Sequence, residues 1–65
     1  MLVKIGYENL QFVGLTKEQE MDVIKFAGNA LDIYEVAGGI SVKGDKAKMF
    51  ELICNLSFKY DLEVN

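Results

Sequence analysis

The sequence predicts an α+β domain: a small two-layer sandwich, β(β)αββα(β), with a mainly antiparallel sheet and two helices on one face. Three observations lead there. Two apolar stripes at helical spacing each follow a residue suited to capping a helix, Thr16 and Asp45. Between the stripes, two runs of strand-forming residues flank Ala37-Gly38-Gly39. The chain has 65 residues, one Cys, no His and no Pro, which fits one domain (residues 1–65) held by packing, without a disulfide or a Cys- and His-rich metal site.

Residues 1–15 place Val3, Ile5 and Tyr7 at alternate positions, followed by Leu10 and Phe12 after Glu8-Asn9. This reads as a strand and, if Glu8-Asn9 turns the chain, a hairpin. Because Glu-Asn is a poorer two-residue turn than Asn-Gly, residues 8–15 stay open between a second strand and an irregular connection. Thr16-Lys17-Glu18-Gln19 fits the capping box, in which Thr16 and Gln19 satisfy each other's backbone N–H groups. The acidic Glu18, Glu20 and Asp22 then favour the positive end of the helix dipole. Met21, Ile24, Ala27 and Leu31 line up at helical spacing, with Val23, Phe26 and Ala30 beside them. Lys17, Gln19, Asp22 and Lys25 face away, and Gly28-Asn29 closes the helix.

Residues 31–36 and 40–43 alternate as strands. A Gly38-Gly39 turn would oppose Val36 to Ser41 and Glu35 to Val42, mixing polar with apolar partners. A three-residue loop, Ala37 to Gly39, opposes Val36 to Ile40 and Tyr34 to Val42, and it offers Gly39 for a left-handed position, so the pairing favours that loop. Gly44-Asp45 ends the strand and caps a second helix. Its stripe of Met49, Leu52, Ile53, Leu56 and Tyr60 is widened by Phe50, Cys54 and Phe58 beyond what one small sheet can cover. Leu62 and Val64 resume alternation as a short closing strand.

Ten carboxylates against seven lysines set the net charge at −3, and arginine is absent. Both disfavour nucleic acid, whose phosphates and guanine edges arginine reads best. No stretch approaches the ~20 apolar residues that span a bilayer, and Met1 to Gly6 is too short for a signal peptide, so no membrane partner and a cytoplasmic location are expected. The chemistry of catalysis is sparse. Without His, Cys54 has no imidazole partner and lies in an apolar helix, where it reads as a core residue. Glu18, Glu20 and Asp22 read as dipole partners, not as metal ligands. No catalytic residue, metal or cofactor is expected, and the chain is not read as an enzyme.

Ile40–Ile53, ISVKGDKAKMFELI, combines a strand, a glycine and a capped helix start with Lys43, Lys46 and Lys48. It resembles the closing β–α segment of KH domains. No two glycines of the chain stand at G-x-x-G spacing, so the loop that clamps nucleic acid in that family is missing, and the segment reads as a generic β–α corner. Lys43, Gly44, Lys46 and Lys48 around this helix start form an alternative anion site for a phosphate or oligonucleotide. The Asp45 carboxylate occupies the place that such an anion would take.

Seven aromatics and an apolar fraction of 51% exceed what one thin core absorbs. Tyr34, Val36, Phe50, Phe58 and Tyr60 are therefore the expected partner-binding residues. The functional expectation is a small non-enzymatic protein-binding module, an inhibitor or regulator of another protein, forming a homodimer. Lysine-only basicity and small size suit a phage or mobile element. The alternative is an oligonucleotide- or phosphate-binding α+β domain using the lysine-rich helix start.

Overall fold

The computed structural model describes all 65 residues, in the order β1 (Leu2–Ile5), β2 (Asn9–Val13), α1 (Lys17–Ala27), β3 (Leu31–Val36), β4 (Gly39–Gly44), α2 (Lys46–Ser57) and β5 (Glu63–Val64). The strands form one five-stranded sheet in the order β3-β4-β2-β1-β5. β1 and β5 pair in parallel, and every other neighbouring pair is antiparallel. This is the α+β sandwich that the sequence predicts. No helix is long and apolar enough to cross a membrane.

Residues 9–13 are a strand, which settles the open reading of residues 8–15. The turn lies one residue earlier than Glu8-Asn9: it is Tyr7-Glu8, closed by the Gly6 N–H donating to the Asn9 carbonyl at 2.8 Å. Pleat alternation then sorts the side chains. Val3 faces Phe12 and Ile5 faces Leu10, while Leu10 faces Val42 and Phe12 faces Ile40. All these lie on the helix-bearing side. Leu2, Lys4, Asn9, Gln11 and Val13 lie on the other, which no helix covers.

The β3–β4 hairpin departs from expectation by one residue. Val36 faces Gly39, Glu35 faces Ile40, Tyr34 faces Ser41 and Ile33 faces Val42, so the turn is Ala37-Gly38. Positive φ falls on Gly38 at 82°, not on Gly39. A one-residue slip reverses which face a strand presents. Leu31 and Ile33 therefore turn to the helices, and Tyr34 and Val36 turn to the uncovered face. β4 decides this, because its own facing is already set by pairing with β2. Glu35 is tolerated opposite Ile40 because β3 is the sheet edge, where the carboxylate reaches water.

Both expected caps are present. The Gln19 N–H donates to Thr16 Oγ1 at 3.1 Å, and the Thr16 N–H donates to Gln19 Oε1 at 2.9 Å. Asp45 Oδ1 accepts from the Ala47 N–H at 2.7 Å and the Lys48 N–H at 3.4 Å. Gly28, with φ of 56°, closes α1 by donating its N–H to the Ile24 carbonyl. α1 is rotated from its expected facing: Val23 and Ala27 are buried, whereas Met21 and Ile24 are exposed. Leu31 gave the Met21–Ile24–Ala27 line false support, because it belongs to β3. α2 buries Met49, Leu52 and Leu56 as expected. With Val23, Ala27 and six sheet residues these make the core, centred on the fully buried Phe12.

Candidate partner-docking site

The widened stripe on α2 leads to the site. At 100° per residue, Lys46, Phe50 and Ile53 lie along the flank of α2 away from Lys59 and α1. Next to that flank, β1 carries Ile5 on the helix side, one pleat beyond the buried Val3, and the chain turns at Gly6. Ile5, Gly6, Tyr7, Asn9 and Leu10 thus form one wall of a groove, with Lys46, Met49, Phe50 and Ile53 as the other. Its volume is about 380 Å³, within the ~300–1,000 Å³ of ordinary binding clefts. Phe50 is 70% exposed, Tyr7 87% and Ile5 59%, so large apolar side chains stand in water around an apolar floor of Leu10 and Met49. The Lys46 Nζ lies 5.7 Å from the Tyr7 ring centroid, a cation–π distance that orients the ring at the rim. Lys46 carries the only charged side chain lining this groove.

The five expected partner-binding residues do not converge. Only Phe50 lines the groove. Tyr34 and Val36 lie on the uncovered sheet face towards the opposite edge. Phe58 follows α2 and is 90% exposed. Tyr60 packs against the core and donates its hydroxyl to Asp22 Oδ2. Cys54, expected in the core, is half-buried on the α2 flank. Ile5 and Tyr7 are not among the expected partner-binding residues, because their alternation with Val3 reads only as a strand and says nothing of which end of it a helix covers. Gly6 was the available signal, as a hinge that carries Tyr7 beyond the sheet.

The alternative anion site is dispersed. Asp45 fills the start of α2, and Lys46 is drawn to Tyr7. Lys48 pairs with Glu51 at 3.7 Å, and Lys43 sits on the uncovered sheet face opposite Asn9 and Asp32. Gly44 gives room to the Leu31 side chain, which lies 2.5 Å from where a Cβ would stand. A second hollow of about 260 Å³ beside the β3–β4 turn is lined by Glu20 and Glu35. No three His, Cys, Asp or Glu side chains converge to hold a metal ion.

On the opposite flank of α2, Asp22 clamps α1 to the segment after α2. Lys59 Nζ donates to Asp22 Oδ2 at 2.8 Å, and Glu18 lies 3.6 Å from the same ammonium. The Lys59 hydrogen bond, then that of Tyr60, holds the Asp22 carboxyl below its ordinary value. The bond to Asp22 in turn raises both Lys59 and Tyr60. Because the folded carboxyl has the lower pKa, its stabilisation is whole above the unfolded value of ~3.9 and is lost as pH falls through the folded one. The raised Lys59 and Tyr60 contribute below their unfolded values of ~10, and that contribution is lost as pH rises through the folded ones. Asp22→Ala is therefore expected to lower the melting temperature at neutral pH, with the gap from wild type closing in acid. A gap constant down to pH ~2 would show that the carboxylate charge contributes nothing.

Compared with protein-family models, curated proteins and solved structures, the chain matches none. Its function is read from its own residues.

Proposed function

We propose that this chain is a non-enzymatic protein-binding module, an inhibitor or regulator that acts by docking a segment of another protein into the Ile5–Tyr7–Phe50 groove. The supporting observation is the exposure of those three side chains around an apolar floor. An isolated exposed apolar residue is ordinary, but large ones gathered at a formed cleft are typical of recognition sites. Their types match binding anchors, with aromatic rings whose burial gives large area for little entropy loss. Lys46 as the sole charge at the groove specifies the occupant: an apolar or aromatic side chain flanked by a carboxylate.

Panning a random peptide display library on the wild-type protein, with counter-selection on a Phe50→Lys variant, tests this. The expected enrichment is for sequences with Phe, Leu, Ile or Trp next to Asp or Glu, binding at least about tenfold more weakly to Phe50→Lys. Enriched peptides that ignore Phe50, or that lack an acidic bias, would overturn the assignment.

A further inference from the structure

We propose that the free edge of β3 takes up an extended segment of another protein as an added strand, and that it selects a segment carrying Lys or Arg two residues away from an apolar side chain. This surface is separate from the groove, which lies at the other end of the strand order.

The two sheet edges differ in what they offer a strand. β5, at one edge, is only two residues long, and such shortness is a common protection against further pairing. β3, at the other, has six residues and pairs without a bulge along its whole length with β4. The Ala37-Gly38 turn closes on the Val36–Gly39 pair, so by antiparallel alternation Val36, Tyr34 and Asp32 direct their N–H and C=O groups to β4. Those of Leu31, Ile33 and Glu35 point outward, where the sheet has no further strand. They form the main-chain ladder on which strand addition depends.

Charge determines which strand fits. On the helix side of the edge, Glu35 stands beside Glu20 of α1, and both line a hollow of about 260 Å³ next to the turn. Asp32 adds a carboxylate on the uncovered face, across from Lys43. None of these carboxylates is in an ion pair: the paired cations are Lys48, with Glu51, and Lys59, with Glu18 and Asp22. Lys17, three residues before Glu20 on α1, is likewise unpaired, and Lys25 lies on the Asp22 side of that helix. An inward-pointing charge is a device that keeps strands off an edge. Here it opposes a second copy, whose own β3 would bring the same carboxylates, and any segment that sets an acidic or apolar residue beside Glu35. A Lys or Arg at that place fits, with its aliphatic stem in the hollow along Leu15 and its head at Glu20 and Glu35.

The pleat sets the rest of the segment. Side chains on one face recur at every second residue, so in either strand direction the residue two places from that cation lies beside Ile33, below Ile24 of α1. Ile33 is only partly buried and Ile24 is 46% exposed, so an apolar side chain there covers surface that the chain itself leaves in water. The edge thus takes a basic occupant, whereas Lys46 at the groove calls for an acidic one.

Panning a random peptide display library on the Phe50→Lys protein, in which the groove is disabled, with counter-selection on a Glu35→Lys variant, tests this. The expected enrichment is for Lys or Arg two residues from Val, Ile, Leu or Phe, binding at least about tenfold more weakly to Glu35→Lys. Glu35 is exposed, so circular dichroism of that variant should be unchanged, and Glu20→Gln should weaken the same peptides without reversing a charge. With an enriched peptide bound, amide exchange should slow at Leu31, Ile33 and Glu35. No enrichment, enriched peptides without a basic bias, or peptides that bind Glu35→Lys equally well would overturn the proposal. So would protection of those amides that appears without peptide and grows with protein concentration, which would assign the edge to a second copy. Because Phe50 is already replaced, failure of the groove reading leaves this result unaffected, and the Phe50-dependent peptides of the groove stand or fall on their own.

Discussion

Phe12→Ala is expected to abolish cooperative folding. Phe12 is fully buried on the middle strand of five, facing Val3 on one neighbour and Ile40 on the other. Truncating a buried phenylalanine costs ~3–5 kcal/mol through lost transfer energy and the cavity left behind. A domain of this length has ~3–10 kcal/mol in total, and with no disulfide the lower part of that range applies. Thermal denaturation followed by circular dichroism should show no sigmoidal transition for Phe12→Ala. Phe12→Leu, which keeps most of the volume, should retain one at reduced temperature. A Phe12→Ala protein melting within a few degrees of wild type would place the core elsewhere.

Gly39→Ala is the second large effect, and its contrast with Gly38→Ala gives it content. The two adjacent glycines serve different needs. Gly38 has φ of 82° and open space around it, so alanine there incurs only the left-handed penalty of ~1–2 kcal/mol. Gly39 has ordinary φ, but a Cβ there would stand 1.8 Å from the Phe12 carbonyl oxygen and 2.9 Å from its carbon. Backbone cannot rotate aside, so β4 must withdraw from β2. That breaks the facing of Gly39 with Val13 and the adjoining bond from the Gly14 N–H to the Gly38 carbonyl. Overpacking costs of ~1–3 kcal/mol are usual where side chains can yield, and this site belongs at the top of that range or above. Amide exchange distinguishes the two. Protection at Gly14 should vanish in Gly39→Ala and survive in Gly38→Ala, and equal protection in both would refute the close approach.

These glycines also show where sequence reasoning stops. The caps at Thr16 and Asp45 were legible because capping is local chemistry between residues two or three apart. The α2 stripe was legible for the same reason, and its excess width correctly marked Phe50 and Phe58 as exposed. The β3–β4 register was not, since pairing Val36 with Ile40 looks best when the two strands are judged alone. The observed register follows from β2, which fixes the facing of β4 from its other side, and residues 9–13 were themselves uncertain as a strand. α1 was misjudged by one position because Leu31 continues its periodicity across the helix end. Ile5 and Tyr7 were hidden by a tertiary fact: whether an apolar strand residue is covered depends on where the helix above it lies.

The two-residue strand β5 has a kinetic consequence. Its facing of Val3 with Val64 joins positions about 60 residues apart, so the whole chain forms the loop that this pairing closes. Such closure carries the largest entropic cost in the molecule and is repaid by the bonds of only a short ladder. β5 is thus the last element to dock during folding and the first to detach in native-state fluctuations, at a free energy well below global unfolding. Each detachment bares the outer edge of β1 beside Ile5 while the core around Phe12 stays shut.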